Sequence, residues 1–131
     1  MNFSHFKPLA ARALLGLALV SCLAGVAQAH GDGAAKHGGI VKSANDLSFE
    51  LAGSAAGATV YIEDHGEPLA AAGFSGKLTV LRGGQKLEGV LQPGKANELV
   101  AAGLQLASGD RAVVVLTTPQ KQVVSVRFAM P

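Results

Sequence analysis

The chain has no tryptophan, one tyrosine and one cysteine among its 131 residues. A single cysteine, Cys22, rules out an intrachain disulfide, a Cys-x-x-Cys zinc site and a c-type haem attachment motif. The missing tryptophan and missing cysteine pair also exclude the Cys…Trp…Cys core of true antibody domains. No excess of either charge survives inspection. Of 11 basic residues, Lys7 and Arg12 fall in an N-terminal export signal, leaving nine against nine acidic ones. A balanced total offers no overall basic field for nucleic acid or anionic lipid. Beyond the first thirty residues no apolar run is long enough to span a bilayer.

What is present at the N-terminus has the anatomy of that export signal. Lys7 and Arg12 precede the apolar stretch 13–23, and Ala27-Gln28-Ala29 supplies the small residues that signal peptidase accepts. Cleavage after Ala29 places the protein in the periplasm and makes His30 its first residue. Leu19-Val20-Ser21-Cys22 resembles a lipobox, and its use would instead anchor the protein by a lipid on Cys22. The apolar character that continues from Leu23 to Ala27 favours cleavage after Ala29. The expected organisation is a signal peptide at 1–29, a flexible Gly/His leader at 30–39 and one domain at 40–131.

Within that domain the hydrophobic period is two. Leu47, Phe49 and Leu51 alternate with Ser48 and Glu50, and Val60 and Ile62 with Thr59, Tyr61 and Glu63. Further strands are expected around Leu78–Val80, Leu87–Leu91, Val113–Leu116 and Val123–Met130. Arg82-Gly83-Gly84-Gln85 reads as a tight hairpin. Val113–Leu116 is apolar at every position, as in a strand that is central or covered on both sides. Ala70–Ala72 favours helix by propensity but is hemmed in by Pro68 and Gly73. Seven or eight short strands without a helix predict an all-β protein, a small antiparallel β-sandwich of immunoglobulin-like layout.

Enzyme motifs break down residue by residue. Lys77 stands where the last glycine of G-x-S-x-G would follow Gly73-Phe74-Ser75-Gly76, and Ala71 takes the first glycine position of a phosphate loop. No H-E-x-x-H occurs, so a non-enzymatic role is expected. The candidate chemistry is metal binding. A free N-terminal His30 offers an amine and an imidazole as one chelate, and His37 or His65 offers a second imidazole. Asp32 and Glu63 are possible oxygen ligands. Nitrogen donors of this kind favour Cu(II) over Zn(II). Alternation puts Tyr61, Glu63 and His65 on one face of a strand end, although Asp64-His65-Gly66-Glu67-Pro68 is also good turn chemistry. Met130 falls at core spacing after Phe128 and is expected to cap the core rather than bind metal.

The segments His37-Gly38-Gly39-Ile40-Val41, Leu47–Leu51, Val60–Pro68 and Gly76–Leu81 together resemble small exported bacterial proteins with an "HGG" start and a D-x-G-x-P turn. The chain is also similar over residues 37–130 to the β-sandwich module associated with periplasmic adaptor subunits of heavy-metal efflux systems. The resemblance implies a periplasmic accessory of copper or other divalent-metal handling, with His37 and His65 matching its histidine motif. The chain lacks the long histidine tracts of many metal-resistance proteins, and the helical hairpin and lipoyl-like parts of a complete adaptor. The competing expectation is a metal-free interaction module. It would dock on an envelope or efflux complex through a strand edge or the Glu63–Pro68 loop.

Overall fold

A computed structural model describes residues 32–131. The expected export signal, Cys22 and His30 lie outside the described residues. Nine strands follow in chain order: β1 (Ile40–Ala44), β2 (Leu47–Ser54), β3 (Gly57–Asp64), β4 (Glu67–Pro68), β5 (Ser75–Arg82), β6 (Gln85–Pro93), β7 (Glu98–Ala102), β8 (Arg111–Thr117) and β9 (Val123–Ala129). All pairings are antiparallel. No helix occurs among the described residues. The fold class is therefore all-β, as the period-two alternation predicts; β7 and the two-residue β4 were not among the strands expected from the sequence.

The hydrogen-bonded order is β1-β2-β3-β7-β6-β5-β8-β9, with β4 added to β3. β6 joins two halves: its Gly76-to-Arg82 partners lie on β5, while its last residues, Gln92 and Pro93, pair with Val100 and Leu99 of β7. The end strands β1 and β9 lie against each other, so the sandwich is nearly closed into a barrel. Closure of this kind limits the exposed edges that a small β protein must otherwise protect.

Local chemistry explains the hairpins. Asn45-Asp46, His65-Gly66 and Gly83-Gly84 each bridge two paired residues, and each has positive φ at both positions. That is the requirement of the two-residue type I′ turn, whose twist matches the strands it connects. The Gly83-Gly84 and His65-Gly66 turns were legible in the sequence and Asn45-Asp46 was not; Asn, Asp and His are the non-glycine residues that best tolerate positive φ.

The inward positions form one core. Phe49, Leu51, Val60 and Ile62 from the first half meet Leu78, Val80, Val114, Leu116 and Phe128 from the second. Met130 packs at its margin, as its spacing after Phe128 predicts. β8 is interior in the hydrogen-bond order, between β5 and β9, yet Val115 on its outer side is 39% exposed. Its continuous apolar run thus reflects a central strand and not one covered on both faces.

Buried Asn97 stitches the β6–β7 turn to β3. Its Nδ2 donates to the Ile62 carbonyl at 3.0 Å, and its own carbonyl accepts from the Ile62 amide at 3.0 Å. Because the Ile62 carbonyl also accepts from the Leu69 amide, Asn97→Ala leaves it paired. The expected cost is about 1 kcal/mol. A thermal melt should register it as a fall of about 4–8 °C.

Candidate functional site

The site begins with Glu50. By alternation it points away from the core between Phe49 and Leu51, a position normally left to water. Its residue is nevertheless only 5% exposed, because the leader crosses over it. One carboxylate oxygen, Oε1, accepts the amides of His37 at 2.8 Å and Gly39 at 2.9 Å. The other, Oε2, accepts the Lys36 amide at 3.0 Å and bonds to Nδ1 of His37 at 2.9 Å. Burial alone would raise the Glu50 carboxyl. The His37 imidazole and the three backbone N–H groups outweigh it and hold the carboxyl below its ordinary range.

That ionised acceptor fixes the imidazole. A carboxylate can only accept, so the hydrogen on the His37–Glu50 bond belongs to Nδ1. When the ring is neutral, Nε2 then carries the free lone pair. The ring also stacks on Tyr61, with centroids 3.5 Å apart and planes 2° from parallel. Tyr61 lies opposite Glu50 in the β2–β3 register, so stack and hydrogen bond come from neighbouring strands. Burial, then the nearby Glu98 and Glu50 carboxylates, push the Tyr61 phenol up, which keeps it protonated.

Two lysines hold the rest of the leader. Lys36 Nζ reaches Glu63 Oε1 at 2.9 Å and the Gly66 carbonyl at 3.1 Å. Lys42 Nζ meets Asp32 Oδ2 at 2.7 Å, and the Ser43 amide donates to Asp32 Oδ1 at 3.2 Å. A cleft of about 370 Å³ opens beside this strap, bordered by Lys36, Val41, Ser43, Ser48, Tyr61 and Glu63.

The sequence-predicted ligands are thus distributed unevenly. His37 and Glu63 both come to the outer side of β2 and β3, but Glu63 is engaged by Lys36. Asp32 is engaged by Lys42 on β1. His65 does not share the face of Tyr61 and Glu63. β3 ends at Asp64, His65 has φ of 49°, and its side chain, 86% exposed, bonds Asp64 through Nδ1. Strand alternation fails there because the I′ turn has already begun. Among the described residues, no three His, Cys, Asp or Glu side chains are grouped to hold a metal ion.

Glu50, Tyr61 and Lys36 organise the site; alternation placed Tyr61 beside Glu63, but ligand spacing singled out neither Glu50 nor Lys36. The only available signal was a carboxylate at an outward strand position 11 residues from a His-Gly-Gly segment rich in free N–H groups. Comparisons with family models, curated proteins and solved structures return no match.

Proposed function

We propose that the protein is a non-enzymatic periplasmic accessory that binds a transition metal, Cu(II) in preference to Zn(II), with His37 as the fixed ligand. The observation that carries this reading is the Glu50–His37 bond. Histidines that ligate metals characteristically donate their second ring N–H to a carboxylate, which sets the tautomer and raises the basicity of the ligating nitrogen. His37 has that partner, and the Tyr61 stack restrains its ring plane. The remaining donors fit the N-terminal chelate, the amine and ring of His30 after cleavage at Ala29. Those two nitrogens and His37 Nε2 form the nitrogen-rich set that suits Cu(II). His65, bound to Asp64 at a turn tip, is not part of it.

Tyr61 is the only tyrosine in a chain without tryptophan, so its fluorescence reports on the ring stacked against it. Titrating Cu(II) into protein processed at Ala29 is expected to quench that emission. His37→Ala should weaken binding at least about tenfold and remove most of the quenching, as loss of a principal ligand requires. His65→Ala should change neither. Equal affinity in the His37→Ala protein, or quenching lost only in the His65→Ala protein, would overturn the assignment.

A further inference from the structure

The balanced total charge hides a strong asymmetry. Strands β1–β4 and the leader carry Asp32, Asp46, Glu50, Glu63, Asp64 and Glu67 against Lys36 and Lys42. The outer face of β5, β6, β8 and β9 has the opposite sign. With Leu78, Val80, Val114 and Val126 buried, their alternating neighbours point out, and the register arranges those neighbours in rows. One row is Val90, Lys77, Val115 and Ser125. The next is Glu88, Thr79, Val113 and Arg127, and the third is Lys86, Leu81, Arg111 and Ala129.

Four cations therefore share this face with one carboxylate. Glu88 is already bound by Lys77 and Lys86, each at 3.0 Å. Among the described residues, Arg111 and Arg127 have no acidic partner. They stand on adjacent strands one rung apart, where nothing offsets their mutual repulsion. Apolar side chains fill the gaps between the cations: Val90 is 65% exposed and Leu81 47%, and Val123 at the end of β9 is 65% exposed. β-Branched residues are ordinary in strands, but this combination of unpaired arginines and open valines has no structural use within the fold.

We propose that this face docks on an anionic phospholipid bilayer. The face spans four strands and spreads four cations over three rows with a single carboxylate among them, a charge complementary to a surface of phosphates. Its short apolar side chains suit the headgroup boundary. A chain whose charges balance once residues 1–29 are removed is not drawn to such a surface as a point, but a dipole is: the basic sheet turns toward the phosphates and the acidic strands turn away. Docking in this orientation leaves the leader and His37, on the other half of the sandwich, open to the periplasm. The inference stands independently of the metal reading.

The test uses the full-length protein, purified from the cells that make it, and sedimentation with vesicles of two compositions. One is phosphatidylcholine alone; the other contains equal parts phosphatidylglycerol and phosphatidylcholine. Neutral vesicles measure any attachment through an apolar or lipidated N-terminus, so the readout is the phosphatidylglycerol-dependent gain. That gain is expected to be at least about tenfold at low salt and to vanish at high salt, since each cation near an anionic surface multiplies partitioning about fivefold. Arg111→Glu with Arg127→Glu should abolish the gain. Arg111→Gln with Arg127→Gln should reduce it several-fold, and serves if the reversed pair impairs folding. Lys95→Glu, outside the face, should cost much less than Arg111→Glu alone, which changes the charge by the same amount. Equal binding to both vesicle types overturns the proposal, as does a gain unaffected by the arginine variants. Self-association or capture of an acidic protein, lost in the arginine variants while lipid binding is absent, also overturns it and assigns the face to a protein contact.

Discussion

Glu50→Ala is expected to destabilise the protein by about 3 kcal/mol and to release the leader while the sandwich stays folded. The reasoning follows from what the carboxylate holds. Four hydrogen bonds converge on it, three from backbone amides of Lys36, His37 and Gly39 and one from the His37 ring. Each is charge-assisted, and in isolation such bonds are worth about 1.5–3 kcal/mol apiece. Their sum overstates the loss, because a released leader regains water and conformational freedom. Urea unfolding measures the difference in stability. Amide exchange locates it: the amides of His37 and Gly39 should lose protection, while those of Phe49 and Leu51 keep theirs relative to global unfolding. Unchanged protection at His37 would show that Glu50 does not hold the leader. Copper affinity should fall with the leader, since a ligand stripped of its carboxylate partner typically loses about 10–100-fold.

The pH dependence has a definite sign. The folded carboxyl lies below its ordinary range, so its contribution is complete at neutral pH and disappears as acid protonates it through the depressed folded value. The advantage of wild type over Glu50→Ala should therefore narrow on acidification. Glu50→Gln keeps one oxygen to accept from the His37 and Gly39 amides but turns its N–H group toward the Lys36 amide and removes the charge, so it should recover only part of it.

This contact also marks the boundary of what the sequence discloses. Features encoded by adjacent residues were legible. The alternation of Phe49 and Leu51, or of Val124, Val126 and Phe128, reports which side of a strand is buried, and all five are buried. Gly83-Gly84 reports its own turn because both positions need positive φ. His65 was harder, since strand alternation and turn chemistry made opposite demands on it, and the turn prevailed. Glu50 was opaque for a different reason. Its burial depends on a segment 11–14 residues away folding back over it, and nothing in Ser48-Phe49-Glu50-Leu51 encodes that return. The charge asymmetry was likewise hidden, because composition adds charges without regard to which sheet carries them.

Asp110→Ala is expected to cost about 2–3 kcal/mol, at a site remote from the leader. Asp110 is 1% exposed, and its carboxylate joins two segments. Oδ1 accepts from Arg82 Nε at 2.8 Å; Oδ2 accepts from Arg82 Nη2 at 2.7 Å and from the Ala107 amide at 2.7 Å. The same Nη2 donates to the Gln105 carbonyl at 2.8 Å, so the pair ties the end of β5 to the connection leading into β8. The Asp110 carbonyl accepts from the Met130 amide and the Met130 carbonyl from the Gly109 amide, which adds the C-terminal end of the chain. Breaking a fully buried ion pair would cost more, but Arg82 keeps 38% of its side chain in water and can be hydrated when its partner is lost. The Arg82 hydrogen bonds lower the Asp110 carboxyl against the opposing effect of burial, with further help from the Ala107 amide. A depressed folded value means that the stabilisation is present above the ordinary aspartate range and lost as pH falls through the folded value. Urea unfolding at neutral and acidic pH should show the gap between wild type and Asp110→Ala closing in acid. A gap that stays constant would mean that Asp110 acts through packing and not through its charge. Asp110→Asn separates the two further: it preserves volume and its one oxygen can still accept from Arg82 Nη2 and the Ala107 amide, but its N–H group then faces Arg82 Nε and the ion pair is gone, so part of the neutral-pH loss should persist.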